Sequence, residues 1–384
     1  MDFAFTDDHL ALRNAVQRFC DGEYPAHERG NRESPPLAAR RHLGLAELGL
    51  LGLPLDPEFG GSGQGPTELM LAAQELGRAL AGGGFLANAV IAAPLLAEAG
   101  TPAQCQRWLP ALAQGQLQLA LACQEAGARH ALGAVSTRAQ RRGDGWQLQG
   151  RKTLVLGGDV ADLLLVAART AGVDGASDGL SLFALDAGTP GLARQAFALL
   201  DGRGAAHLSL ADVTVGDDRL IGPLGGAQPL LQRAVARANA ALCAESAGAL
   251  ESLLALCCEQ LRTRRQFGAA LAKFQALQHP VADMAIALEQ LKSMACVAAM
   301  ALDGGDAAER ERLVSAAKVL SAQLGRRSAL AAIQLHGAMG MTDECRVGHY
   351  AKRLIVNSML FGDAAHHLGC FAAHRTTQAQ GDRA

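Results

Sequence analysis

The stretch Arg264-Arg265-Gln266-Phe267-Gly268, followed by Phe274-Gln275, separates two long segments rich in Ala and Leu. Apolar residues on either side of it repeat with helical spacing, at about 228–263 and 272–303. Two further segments of the same kind follow at about 307–337 and 346–376. Four long helices, each with an apolar stripe, pack as a bundle. We therefore predict a C-terminal four-helix bundle over residues 227–384.

The rest of the chain divides into two parts. Residues 117–226 carry short apolar runs bounded by Gly and Asp turns, such as Leu180 to Leu185, which predict a middle β domain of barrel or sandwich type. Residues 1–116 carry helix signals, including a capping Thr6 before Asp7-Asp8. They predict an N-terminal all-α domain. The predicted class is α+β, in the order helices, strands, bundle.

The amino-acid composition argues against several classes of function. The 384 residues include 35 basic and 37 acidic side chains, a balance that favours neither nucleic acid nor an anionic membrane. The nine cysteines contain no C-x-x-C pair, so we predict no metal site. They are typical of reduced thiols in a cytoplasmic protein. The acidic N-terminus is unlike a secretory signal, and we expect no membrane-spanning segment.

Two motifs have residue types suited to ligand binding. Arg264 can offer its guanidinium fork to a diphosphate while the ring of Phe267 covers a flat ligand. The alternative for the same pair is an Arg that counters the dipole at a helix C-terminus and a Phe in the core. In Gln334-Leu335-His336-Gly337-Ala338-Met339-Gly340, glycines allow a close backbone approach and Gln334 adds an amide. An ordinary glycine cap remains the alternative there.

Together with the domain order, these motifs make the chain resemble the acyl-CoA dehydrogenase family. The resemblance extends to Gly150-Arg151-Lys152 in the β domain and to Ala282-Asp283-Met284 after the F-Q pair. It implies a flavoprotein enzyme that oxidises an acyl-CoA thioester, with FAD as cofactor and an electron-transfer flavoprotein as acceptor. The segment from Gly348 to Ala364 looks similar to the small subunit of pimeloyl-CoA dehydrogenase, half of a two-subunit enzyme acting on dicarboxyl-CoA esters.

The resemblance assigns cofactor contacts to two regions. In the bundle they are Arg264, which grips the FAD diphosphate of a neighbouring subunit, Phe267, Phe274, Gln334, Gly337 and Ala338. In the β domain they are Cys123, Gln124, Leu154 and Leu156. Leu154 stands where the family has an aromatic residue, and Leu156 where it has a Thr or Ser beside the flavin ring. A Leu side chain offers no hydroxyl donor to a flavin.

The general base is the last assignment. The family places its Glu at the position of Phe361, or early in the first bundle helix, at Ala238 and Asn239. We assign Asn239 and Phe361 to substrate binding instead. Glu245 lies two helical turns after Ala238, and its i±3 and i±4 neighbours include no basic residue. An apolar environment would raise its pKa and suit a base. The alternative is a buried structural Glu.

The resemblance thus favours an acyl-CoA dehydrogenase assembled as a tetramer, either a homotetramer or a heterotetramer with a second acyl-CoA dehydrogenase subunit. A non-catalytic subunit that completes the FAD site of another chain is the main alternative, because Leu156 and Phe361 depart from the family pattern. A flavin oxidase or monooxygenase on the same scaffold is a weaker one.

Overall fold

The computed structural model describes residues 5–28, 33–82, 84–176 and 178–381, with side chains as far as Ala373. Contacts group the chain into two compact units. One comprises Met1–Arg32, Gly65–Ala81 and Asn239–Ala384. The other comprises Glu33–Gln64 and Gly82–Ala238.

The regular elements described before residue 116 are helical, as predicted. The first helix is capped where the sequence indicates, since the Thr6 hydroxyl accepts a hydrogen bond from the His9 N–H at 3.2 Å. The elements are α1 (Asp7–Glu23), α2 (Pro35–Glu47), a 3-10 turn (Pro57–Phe59), α3 (Pro66–Arg78), a π-helical segment (Phe85–Ala92), α4 (Ala93–Ala99) and α5 (Pro102–Ala113).

The middle of the chain forms one mixed sheet of eight strands. Seven of them lie in the order β6-β7-β3-β2-β4-β5-β8, and β1 pairs in parallel with β4. Their bounds are β1 (Leu119–Ala122), β2 (Arg138–Arg142), β3 (Gly145–Leu156), β4 (Leu163–Arg169), β5 (Leu180–Asp186), β6 (Leu192–Ala198), β7 (Gly204–Gly216) and β8 (Leu220–Ile221). Side chains such as Trp146, Phe183 and Leu208 form the core of this sheet.

After the sheet the chain is almost wholly helical. The elements are α6 (Ala227–Thr263), the two-stranded hairpin β9 (Arg265–Gln266) and β10 (Ala269–Ala270), then α7 (Gln275–Asp303), α8 (Ala307–His336), α9 (Arg346–Met359) and α10 (Ala364–Gly381). Leu253, Leu288, Ala329 and Leu354, from α6 to α9 in turn, meet in one buried cluster. The predicted bundle is therefore present.

The helix predicted over 346–376 is wrong in one respect, because it is two helices. It breaks after Met359, where Phe361 has a φ of +54° and Gly362 a φ of +120°. An α-helix cannot continue through residues with left-handed backbone angles. The break matters because Phe361 is one of the predicted site residues.

Two close backbone contacts set where α3 crosses α6. A Cβ on Gly248 would lie 1.8 Å from the carbonyl oxygen of Gln74, and one on Gly77 would lie 2.1 Å from that of Glu245. Both positions therefore require glycine. This crossing places Glu245 beside the end of α3.

The domain boundaries at 116/117 and 226/227 stay predictions, although the elements change type near both. By length and composition alone, α6 and α7 could each cross a membrane. Core helices of a bundle pass the same test, and about 61 % of the relevant window of α6 is buried. The predicted absence of a membrane partner remains a prediction.

Candidate functional site

The turn between α6 and α7 is a tight hairpin in which β9 pairs with β10. Its two central residues, Phe267 and Gly268, have φ values of +53° and +77°. Turns with two positive φ angles suit glycine well and a phenylalanine poorly. Phe267 is nonetheless 91 % exposed, so the hairpin holds an aromatic ring out in solvent at a cost in backbone strain.

The structure brings the two predicted bundle motifs together. The Arg264 Nη1 donates to the carbonyl oxygen of His336 at 3.5 Å, which joins the end of α6 to the end of α8. Arg264, Gln334 and Ala338 are all exposed. Gly337 has a φ of +67° and open space where a side chain would be. Among the described side chains, no carboxylate forms an ion pair with Arg264. Its remaining donors can therefore bind an anion.

The two predicted aromatic residues also meet. The rings of Phe267 and Phe274 are 6.2 Å apart between centroids and nearly perpendicular. Phe274 precedes the first residue of α7 and is half-buried. A guanidinium, an amide, a glycine turn and an exposed aromatic edge thus share one surface. This set suits a phosphate-bearing ligand with a flat apolar part.

The predicted residues of the sheet also lie close together. The carbonyl oxygen of Gln124 accepts from the Thr153 N–H at 2.9 Å, so the segment after β1 is tied to β3 near Leu154. Cys123 is buried, and desolvation raises the pKa of its thiol to about 11 against a smaller opposing effect of Lys152. Leu154 is half-buried and Leu156 is buried. Neither leucine side chain can donate a hydrogen bond.

A buried ion pair that the sequence did not assign fixes this region. The Lys152 Nζ lies 2.6 Å from the Glu125 Oε1, and both side chains are at most 6 % exposed. Glu125 also accepts from the backbone N–H groups of Ser136 and Thr137. Burial alone would raise the pKa of Glu125, but the charge of Lys152 and these hydrogen bonds outweigh it and lower the pKa to about 2.

A second unassigned residue, His207, lies beside Leu154. The backbone N–H of Leu154, which has a φ of +52°, donates to the His207 Nδ1 at 3.4 Å. The imidazole stacks against Phe197 at 4.5 Å between ring centroids. The register of β3 against β7 shifts between Lys152 and Val155, which makes room for this contact. No local pattern signals it, because the two residues are 53 positions apart.

Glu245 does not have the environment predicted for it. Its Oε1 lies 2.9 Å from the Arg353 Nη1 and accepts from the Asn357 Nδ2 at 3.3 Å. The expectation of apolar surroundings without a basic partner is wrong. The partner comes from α9, 108 positions along the chain, whereas the sequence argument covered only neighbours on the same helix. A role for Glu245 in proton transfer stays untested by the geometry alone.

The two residues predicted to bind substrate do contact each other. The Asn239 Nδ2 donates to the carbonyl oxygen of Phe361 at 3.2 Å. The side chain of Phe361 is half-buried and Asn239 is buried. Neither side chain can act as a general base for an α-proton, so a proton acceptor at this point must come from elsewhere.

Comparison with known proteins covers nearly the whole chain. Three family models match: "Acyl-CoA dehydrogenase, N-terminal domain" over residues 6–116, "Acyl-CoA dehydrogenase, middle domain" over 120–213, and "Acyl-CoA dehydrogenase, C-terminal domain" over 226–374. An acyl-CoA dehydrogenase of Mycobacterium tuberculosis is 30 % identical over 80 % of this chain and 81 % of its own length.

Two other matches extend over nearly the whole chain. The (R)-benzylsuccinyl-CoA dehydrogenase of Thauera aromatica is 26 % identical over 96 % of this chain and 95 % of its own length. The solved FAD complex of PigA shares the fold, with a TM-score of 0.88 and 23 % identity over 98 % of this chain and 100 % of that one. The predicted fold class and family resemblance are confirmed. The enzyme class, an oxidoreductase acting on CH–CH groups, agrees with the names of these relatives.

Proposed function

Because the chain belongs to the acyl-CoA dehydrogenase family, we propose that it is a subunit of an FAD-dependent enzyme that dehydrogenates an acyl-CoA thioester between its α and β carbons. The observation that carries this proposal is the contact of Arg264 with the end of α8, where the exposed Gln334 and the open Gly337 turn adjoin it. When bound, FAD supplies the hydride acceptor of such a reaction.

In this proposal the residues of the chain bind the FAD cofactor and fix its orientation. Arg264 pairs its guanidinium with the diphosphate, because a fixed fork of donors matches phosphate oxygens. The amide of Gln334 adds a hydrogen bond in the same place, and the Gly337 backbone approaches closely because no Cβ intervenes. The exposed ring of Phe267 packs on the apolar part of the cofactor.

We further propose that these groups serve FAD whose flavin ring is held by a second, different chain. In this chain Leu154 and Leu156 offer that ring no side-chain donor, and neither Asn239 nor Phe361 is a carboxylate. The residues that would bind the FAD of a neighbouring chain are therefore present. The positions that would face the chain's own flavin ring lack side-chain donors and a carboxylate. The chain then acts as the partner subunit of a heterotetramer, and the base comes from the other chain.

The substrate and acceptor follow from the same proposal. A dicarboxyl-CoA ester is the proposed substrate, since a relative is named for benzylsuccinyl-CoA and the segment from Gly348 to Ala364 resembles a subunit acting on such esters. An electron-transfer flavoprotein is the proposed acceptor. A cytoplasmic location is proposed from the cysteine content of the sequence.

A self-contained homotetrameric dehydrogenase is the second candidate. It is favoured by one observation, which is that Glu245 is a buried carboxylate on α6 in the helix where some family members carry their base. In that case Glu245 takes the α-proton itself, and its replacement by Gln abolishes acyl-CoA oxidation in the chain expressed alone.

Flavin content separates the two candidates. The chain is purified alone and together with an acyl-CoA dehydrogenase chain that has a Glu at the position matching Phe361. We expect little flavin in the first preparation, and in the second a bound flavin that pimeloyl-CoA bleaches under anaerobic conditions. A yellow, substrate-reducible protein from this chain alone would support the second candidate. A colourless complex would reject both.

The diphosphate contact is tested with a matched pair of arginines on one turn. Arg264→Gln removes a charged hydrogen-bond donor worth roughly 1.5–3 kcal/mol, so the dissociation constant of FAD from the complex should rise roughly 10- to 100-fold. Arg265→Gln removes another exposed guanidinium from the adjacent β9 position and should leave that constant unchanged. Equal effects of the two changes would mean that only the overall charge matters.

A further inference from the structure

A buried polar network passes through the unit that contains most of the bundle, and Glu245 is its central acceptor. The Glu245 carboxylate holds the Arg353 guanidinium and the Asn357 amide, which lie one helical turn apart on α9. The same amide also donates to the Ser246 hydroxyl at 3.2 Å. All four residues are buried, with Ser246, Arg353 and Asn357 at most 3 % exposed and Glu245 9 % exposed. The network therefore joins α6 to α9 by charge and hydrogen bonds as well as by apolar packing.

On one side the network fixes the end of α3. Arg353 donates to the carbonyl oxygens of Ala81 at 3.0 Å and Leu80 at 3.4 Å. Leu80 has a φ of +53°, so these carbonyls belong to a strained turn directly after the helix. The last carbonyl of α3, that of Arg78, accepts from the hydroxyls of Ser252 and Tyr350. The guanidinium of Arg353 instead supplies donors to the two carbonyls of the turn that follows the helix.

On the other side the network fixes the break between α9 and α10. The carbonyl oxygens of Asn357 and Leu360 accept from the buried Lys318 Nζ at 2.6 and 2.8 Å. The next carbonyl, that of Phe361, accepts from Asn239 and from the His367 Nε2, both at 3.2 Å. The left-handed turn at Phe361 is therefore held by side chains from α6, α8 and α10.

We propose that Glu245 is a positioning residue that acts through Arg353 and Asn357 to hold these two turns. The charge of the carboxylate keeps the buried guanidinium on the Leu80 and Ala81 carbonyls. Its second contact orients Asn357, whose backbone lies beside Lys318 and the Phe361 turn. This inference concerns the fold of the chain and stands whether or not the proposed dehydrogenation is correct.

The chemistry of the pair also opposes a base role for Glu245. A general base must become protonated in each turnover. Protonation of this carboxylate would remove the negative charge that lies 2.9 Å from a guanidinium only 3 % exposed, and weakening a buried ion pair in this way is unfavourable. Each proton transfer would thus disturb both turns that the network holds.

The experiment compares Glu245→Gln, Arg353→Gln and the double variant with Glu251→Gln as control. Glu251 lies on the same helix in a more exposed pair with Lys292. Urea midpoints and hydrogen exchange at the Ala81 and Leu360 amides are measured on the whole chain. These amides bond to the carbonyl oxygens of Leu76 and Val356 and report on the two turns.

Each single change at 245 or 353 should speed exchange at its adjacent turn about tenfold or more, because it removes the buried ion pair between the two side chains. Glu245→Gln should affect both amides. The double variant, which leaves a neutral amide pair, should recover most of the urea midpoint, and this test holds even if a single variant fails to fold. Strictly additive losses, or an effect of Glu251→Gln as large as that of Glu245→Gln, would overturn the proposal.

A second readout separates positioning from proton transfer. In the flavin-loaded complex, the rate of flavin reduction by pimeloyl-CoA should follow the structural recovery, so that the double variant is faster than Glu245→Gln alone. A double variant that regains the urea midpoint but reduces flavin no faster than Glu245→Gln would mean that the carboxylate itself is needed, and the positioning role would be wrong.

Discussion

The ammonium of Lys152 lies 2.6 Å from the carboxylate of Glu125 in the interior of the sheet domain. With the hydrogen bonds from Ser136 and Thr137, this pair closes the loop after β1 onto β3. The geometry gives the pair a clear pH signature, because the carboxyl has its pKa lowered from 4.5 to about 2.

A carboxyl whose pKa is lower in the folded state stabilises the fold above its unfolded pKa and loses that contribution as the pH falls through the folded value. The contribution of Glu125 to the free energy of unfolding is therefore present above about pH 5 and is lost as the pH falls towards 2. Urea unfolding of the wild type and of Glu125→Gln should therefore differ most at pH 6, and the difference should shrink steadily below pH 5. A difference independent of pH would contradict the assigned pair.

His42 gives a dependence of the same sign at higher pH. It is 4 % exposed, both ring nitrogens lack a hydrogen-bond partner among the described residues, and desolvation lowers its pKa from 6.5 although Asp162 opposes the shift. A histidine buried in the neutral form must gain a proton on unfolding in acid, so stability is lost as the pH falls below about 6.5. His42→Leu should reduce the loss of thermal stability between pH 7.5 and pH 5.5.

The control for that change is His279→Leu, because His279 is exposed on α7. It should leave the slope of stability against pH unchanged. If both variants change the slope equally, the effect comes from net charge and not from the burial of His42.

How much of the site could be predicted from the sequence depends on how many positions separate the residues that make each contact. The Arg264 and Gln334 motifs could be identified because each is contiguous and combines a charged or amide side chain with glycine at a helix end. The resemblance assigned both motifs to the cofactor, but the contact of Arg264 with the His336 carbonyl depends on the tertiary structure. Thr6 capping and the helix limits of α6 and α8 follow from local rules and were predicted to within about two residues.

What the sequence could not provide was the partner of each buried charge. Helical periodicity relates Glu245 to residues up to four positions away, while Arg353 reaches it from another helix. The contact of His207 with the Leu154 N–H depends on a register shift that no side-chain pattern encodes. The break at Phe361 was not predicted, because a phenylalanine at positive φ is stabilised here by donors from distant residues and not by the backbone preference of phenylalanine.

Glycine-to-alanine substitutions at two helical positions should have opposite effects on stability. One position lies where α3 crosses α6 and the other lies in α8. Gly248→Ala would place a Cβ 1.8 Å from the Gln74 carbonyl oxygen, and neither backbone can yield without separating the helices. We expect a loss of about 3 kcal/mol or more in unfolding free energy, at the upper end of overpacking effects. A Cβ at Gly325 in α8 would lie 3.4 Å from the Leu354 Cδ2 and 3.9 Å from its Cβ, which are ordinary contacts, so Gly325→Ala should stabilise by up to about 1 kcal/mol through helix propensity. Chemical denaturation measures both, and equal effects would contradict the close contact.

Replacing Phe267 should affect the stability of the isolated chain and the retention of FAD in opposite directions. The residue is held at a φ of +53° while 91 % of its surface is exposed, so its ring contributes little to the fold of the isolated chain. Phe267→Gly removes the strain of a left-handed non-glycine residue, worth about 1 kcal/mol, and should raise the free energy of unfolding of the isolated chain or leave it unchanged. In the flavin-containing complex the same change should weaken FAD retention several-fold, because it removes the ring proposed to pack on the apolar part of the cofactor. Phe267→Tyr keeps both the ring and the strain and serves as the control. Unchanged FAD retention in Phe267→Gly would mean that the hairpin contributes to the site only through Arg264.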